Sequence, residues 1–266
     1  MKIKLDKRKI CIAVTFVAIA LLLVCEIVGL DGLFSTNTDE KFISAVEMTV
    51  TRAIGGGVFI TILIYLGYKV LNPFKKPFWR GVLFALPAVC VAVNNFPIYP
   101  VASGLAKITA PPWRIAFLVA ECVMVAFFEE ACFRGVVFLG FLKKRRKNVK
   151  SRFIAIILSA AVFGVLHLVN MALGAPPLAV LLQVGYSFLI GAMCSVVLMK
   201  TSNIWMCVIL HAVYNVGGMI IEKCGEGQRW DIFTIVITAI IAVVTTVYMV
   251  IAFFKIREQE LDRLYN

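Results

Sequence analysis

Few residues of this chain could do chemistry in an apolar setting, and they share a pattern. Its only two histidines, His167 and His211, lie inside long apolar stretches. Another such stretch carries Glu129, Glu130 and Arg134, and Asn215 follows His211 by one helical turn. Placing an ionisable group in hydrocarbon costs roughly 2.5–3.5 kcal/mol on insertion scales, so such groups turn toward a protein interior and serve a purpose there. The set suits hydrolysis. A carboxylate and an imidazole can share a water and take its proton as general base. A second imidazole and a carboxamide can stabilise the oxyanion that forms on an attacked carbonyl. Alternatively, Glu129, His167 and His211 could hold a divalent metal such as zinc that activates the water.

Helical spacing sorts these groups. Glu130 and Arg134 stand at i,i+4 and can pair along one face, a neutralising scaffold. Glu129 is turned about 100° from Glu130 and is left free to face a cavity. His211 and Asn215, also i,i+4, present donors side by side, and Phe163 packs against the pocket wall one turn before His167. Glu121 is a further acid nearer the outer end of its span, while Glu26, Glu47 and Asn170 fall near the outer interface. Glu129 lies 14 residues before Lys143 and His167 lies 15 after Arg152, so both sit about 21–23 Å along their helices from one basic hairpin. His211, 11 residues past Lys200, lies about 17 Å from the same side. Three helices thus bring polar groups to a similar depth.

The elements that must position them are membrane spans. The chain has 266 residues, 61% of them hydrophobic and 16% charged, with a mean hydropathy of +0.94. A soluble domain averages about 25% charged. Apolar runs reach the roughly 20 residues needed to cross a bilayer. Eight candidate spans follow, at about 10–30, 45–71, 79–96, 114–141, 152–172, 177–199, 203–221 and 232–255. The expectation is an all-α polytopic helical bundle forming a single membrane domain over 1–266. The expected location is the cell membrane of a bacterium. Pro87 interrupts the third span, and Gly55, Gly56 and Gly57 in the second allow a kink or a close helix contact.

The net charge of +12 does not signal nucleic acid, because the basic residues cluster at span ends. With both termini in the cytoplasm, 20 Lys and Arg fall on the inner side and 6 on the outer, as the positive-inside rule requires. The eight cysteines form no CxxC pair and read as small buried hydrophobes. The basic start followed by an apolar run to about Leu30 is too long for a signal peptide and lacks an A-x-A site, so a retained span is expected.

Three motifs, Glu129-Glu-Ala-Cys-Phe-Arg134, Phe163-Gly-Val-Leu-His167 and His211-Ala-Val-Tyr-Asn215, together resemble the signature of the CPBP family. That family comprises Abi-type intramembrane proteases, among them type II CAAX prenyl endopeptidases and lysostaphin resistance protein A-like proteins. The resemblance covers about residues 113–222. It implies a catalytic core in which Glu129 and His167 activate water, His211 and Asn215 bind the oxyanion, and Glu130 and Arg134 hold the helix. The expected partners are a peptide or membrane-associated protein substrate and the lipid bilayer. A metal-free mechanism is preferred to a metal-bound one, because a Glu130–Arg134 pair leaves one free carboxylate and two imidazoles. No HExxH occurs, and the five Asp residues, at 6, 31, 39, 231 and 262, lie at ends or in loops. The alternative is a non-catalytic scaffold or bacteriocin-immunity protein that binds a peptide in the same cavity.

Overall fold

The computed structural model describes residues 7–28, 40–74 and 78–265. Lys2, Lys4, Asp6, Asp31, Asp39, Lys75 and Lys76, and the side chains of Lys41, Cys25 and Glu26, lie outside what it describes. In chain order the elements are α1 (Lys7–Val28), α2 (Glu40–Tyr65), α3 (Phe78–Asn94), α4 (Ile98–Ala102), β1 (Ala106–Ile108) and α5 (Pro112–Glu129). A π-helical segment (Glu130–Phe138) and α6 (Leu139–Lys143) continue α5. Then come α7 (Val149–Leu166), α8 (Val169–Ala172), α9 (Pro177–Thr201), α10 (Ile204–Cys224), β2 (Gly225–Gly227), α11 (Ile232–Phe254) and α12 (Glu258–Asp262).

Among the described residues, five helical stretches are long and apolar enough to cross a membrane: Phe42–Tyr65, Val149–Ala172, Pro177–Thr201, Ile204–Cys224 and Ile232–Phe254. The α3 helix is shorter, at 17 residues. The α5 stretch and its continuation carry Glu121, Glu129, Glu130 and Arg134, which lower its mean hydropathy. This is an integral membrane protein built of helices.

Sequence-local chemistry sets where the site helices begin. Asn148 caps α7 by accepting from Ser151 N–H at 3.1 Å, and Asn203 caps α10 by accepting from Trp205 N–H at 3.0 Å. Such caps satisfy backbone donors that a helix start leaves orphaned. Between α9 and α10 the chain reverses through Ser202, held at φ 52°. The α2 helix packs along α5, α5 along α10, and α7 along α9. The Phe127 ring fills the place where a Cβ on Gly56 would stand, the close helix contact that the glycine run predicts. At Pro87, where a helix loses an amide donor, the neighbouring carbonyls take donors from α11: Tyr248 O–H reaches Phe84 O at 3.2 Å and Thr245 O–H reaches Pro87 O at 3.3 Å.

The two ends of the bundle are tied separately. At one end, β1 pairs antiparallel with β2, Lys107 opposite Glu226. At the other, the 143–152 hairpin meets the C-terminal segment: Arg146 pairs with Asp262 at 2.8 Å and Arg152 donates to Ile256 O at 2.9 Å. Lys200 pairs there with Glu260 at 2.6 Å, and Lys69 N–H donates to Leu264 O at 2.8 Å. Basic residues assigned to one membrane side therefore share one end. Of the seven described cysteines six are buried, but Cys90 is exposed on α3, so one apolar-run cysteine is not a core residue.

Candidate active site

The side chain of His211 is held by two adjacent carboxylates. Its Nδ1 lies 2.8 Å from Glu130 Oε1 and its Nε2 lies 3.4 Å from Glu129 Oε2. Glu130 is fully buried, and Arg134 Nη1 stands 3.1 Å from the same oxygen. The i,i+4 pair read from the sequence is present, and it does more than neutralise charge: it holds a carboxylate against an imidazole on another helix. A carboxylate can only accept, so Nδ1 of His211 carries the hydrogen.

This junction falls where α5 changes to π geometry. From Glu130 onward the backbone bonds run i to i+5, a form that occurs mostly in short stretches and frequently at functional sites. The π segment brings Gly135 against α2 and α10: a Cβ there would stand 2.7 Å from Leu63 Cδ1 and 3.2 Å from Ile204 Cδ1. Gly191 on α9 makes similar room for the guanidinium, since a Cβ there would meet Arg134 Nη2 at 2.6 Å. The guanidinium also lies 4.2 Å from the Phe163 ring centroid, a cation–π contact. Phe163 meets the His167 ring edge-on at 5.0 Å and the His211 ring edge-on at 5.9 Å, so one buried ring contacts both histidines.

His167 marks the end of α7 and not its interior. Its Nδ1 donates to Phe163 O at 2.9 Å, and its own N–H turns to Gly164 O at 3.1 Å. The side chain has taken the i−4 carbonyl, leaving the amide a tighter i−3 bond. The 152–172 span is therefore interrupted after Leu166. A carbonyl only accepts, so Nδ1 bears the hydrogen and the Nε2 of a neutral ring keeps a lone pair.

Glu129, His167, His211 and Asn215 all line one cavity of about 1040 Å³. Glu121 lines it as well, paired with Lys223 at 2.5 Å. Asn170, read as interfacial, is also on the wall and donates to Gln183 Oε1 at 2.8 Å. Further lining residues, Asn95, Tyr186, Tyr214, Glu222 and Arg229, carry no period or motif that would single them out. The polar pair Asn94-Asn95 at the end of an apolar run is the one sequence hint. Among the described residues, the only trio of His, Cys, Asp or Glu donors within 4.8 Å of one another is Glu130, Cys194 and Cys207. Glu129, His167 and His211 form no such trio, and both His211 nitrogens already face carboxylates. Tetrahedral zinc holds its donors at about 2.0–2.2 Å. The three residues as placed do not fit a three-ligand metal site.

Residues 111–217 match the family model described as type II CAAX prenyl endopeptidase Rce1-like. No curated protein and no solved structure matches the chain.

Proposed function

This chain belongs, through residues 111–217, to the CPBP/CAAX protease family in its Rce1-like branch, and from that premise we propose an intramembrane endopeptidase that cleaves a membrane-associated or lipidated protein. The observation that carries the reading is His211 clasped between Glu129 and Glu130 on the wall of a cavity shared with His167 and Asn215.

Glu129 and the Nε2 lone pair of His167 polarise a water and take its proton as hydroxide adds to the scissile carbonyl. His211 acts in this reading as the imidazolium, its Nδ1–H fixed by Glu130 and its Nε2–H, compensated by Glu129, offered to the developing oxyanion together with the carboxamide of Asn215. Glu129 shares that Nε2 hydrogen in the resting site. As the tetrahedral adduct collapses, the proton gained from water passes to the departing amine. Arg134 compensates Glu130, so the orienting carboxylate keeps its place without a net buried charge. The donor spacing supports a metal-free route. In this reading the chain is one domain crossing the plasma membrane eight times, with both termini in the cytoplasm. The 20-to-6 basic asymmetry and the gathering of basic residues at one end support that orientation.

The test is cleavage of a prenylated C-terminal peptide by the purified chain in lipid bilayers, with and without a chelator. Cleavage that persists in chelator and disappears in Glu129→Gln is the expected result. Full activity in Glu129→Gln overturns the mechanism.

A further inference from the structure

Glu130 faces two ways. Its Oε1 serves both His211 and Arg134, whereas its Oε2 is buried with no hydrogen-bond partner among the described residues. On the side away from the cavity stand two thiols, Cys194 in α9 and Cys207 in α10. A carboxylate oxygen of Glu130 and the two Sγ atoms all lie within 4.8 Å of one another, and all three residues are fully buried. The Cys207 thiol donates to Cys194 O at 3.3 Å, so it points at α9. Cysteines packed as plain apolar groups need no carboxylate beside them. An unsatisfied buried carboxylate oxygen costs about 1–3 kcal/mol or more.

Thiolates select soft cations. Tetrahedral zinc takes sulfur at about 2.3 Å and carboxylate oxygen at about 2.0–2.2 Å, which sets its donors about 3.5–3.8 Å apart. Side-chain shifts of about 1 Å would bring this trio to that spacing. The charge balance selects a dication. Loading forms two metal–sulfur bonds as the two thiol protons leave to solvent, so incoming and departing charges are equal. The Arg134 guanidinium, which already compensates Glu130, stays matched. A monovalent ion in the same exchange would leave a buried negative charge without a partner.

We infer that Glu130, Cys194 and Cys207 bind one zinc-class dication, and that the bound ion restrains catalysis through Glu130. The binding stands on the donor set alone, while the restraint rests on the peptidase reading. A cation on Oε2 draws charge from the carboxylate that fixes His211 Nδ1–H, and so loosens its hold on the imidazolium. The ion lies behind the cavity wall and takes no part in activating water.

The experiment adds one equivalent of zinc to the full chain, reduced with a phosphine, in phosphatidylcholine bilayers and reads the zinc X-ray absorption spectrum. Two sulfur neighbours at about 2.3 Å, with oxygen completing the shell, is the expected result. A shell without sulfur, or with four sulfurs, overturns the site whatever the variants do. Cys194→Ala and Cys207→Ala should each weaken zinc binding by roughly tenfold or more, whereas Cys90→Ala, on the exposed side of α3, should not. Unchanged binding in both of the first two variants also overturns the assignment. Zinc should lower cleavage of the prenylated peptide, with recovery in chelator and a smaller loss in Cys194→Ala. Equal inhibition of the unaltered chain and Cys194→Ala overturns the restraint. Absence of cleavage under every condition sinks the peptidase reading alone, and the absorption spectrum then still decides the metal site.

Discussion

Oε1 of Glu130 stands 2.8 Å from Nδ1 of His211, and this contact separates the duties of two neighbouring carboxylates. Glu130 is fully enclosed with Arg134, whereas Glu129 keeps 17% of its side chain exposed toward the cavity. Removing one member of a buried ion pair leaves the other charge stranded, at a cost of about 3–5 kcal/mol. Glu130→Ala should therefore lower both activity and thermal stability in detergent. Glu129→Ala should abolish cleavage with little change in melting temperature. Equal destabilisation by the two would contradict the division.

His167 is expected to matter for rate and not for folding. Its ring is half-buried, and the Phe163 carbonyl leaves only Nε2 for chemistry. Loss of a general base costs roughly 10²–10⁴-fold in rate. His167→Ala should show a fall of that order in single-turnover cleavage with unchanged substrate binding. A loss below tenfold would remove His167 from water activation.

Gly191 offers a test at a distance from the reacting atoms. A methyl there would press on Arg134 Nη2 at 2.6 Å and on Phe163 Cδ1 at 3.3 Å, both buried. Arg134 would shift, and with it Glu130 and His211. Misplacement by about 1 Å can cost about 10²-fold in rate, so Gly191→Ala should lose at least an order of magnitude in kcat. Gly140→Ala is the control: nothing lies within 4 Å of its new methyl, and alanine favours the helix by about 1 kcal/mol. Loss of activity in both would mean that helix propensity, and not the guanidinium, was disturbed.

The parts of this site that follow helical period were legible in the sequence. Glu130 and Arg134 pair as their spacing predicts, and His211 and Asn215 both line the cavity. What crosses between elements was not. The bond from Glu130 to His211 depends on how α5 is rotated against α10, and the π segment beginning at Glu130 changes that rotation without a sequence mark of its own. The end of α7 was equally hidden, because it comes from His167 competing for one carbonyl within an unbroken apolar run. Asn95 and Arg229 reach the cavity from an element end and a loop, where no periodicity exists to place them.

Acid should loosen the C-terminal latch before it affects the membrane core. Burial alone would raise the Glu260 carboxyl. The hydrogen bond from Lys200, the backbone N–H of Arg257 and the positive charges of Lys200 and Arg263 outweigh it, leaving Glu260 below the usual carboxylate range. A carboxyl depressed on folding contributes stability that is present above its unfolded value of about 4.3 and is lost as pH falls through the lower folded value. Docking of residues 255–265 should thus hold at pH 5 and above and weaken only below about pH 4. Hydrogen exchange of the α12 amides as a function of pH reads this directly. Glu260→Gln should show the open behaviour already at neutral pH, whereas protection independent of pH in the unaltered chain would mean that Lys200 and Glu260 do not close the latch.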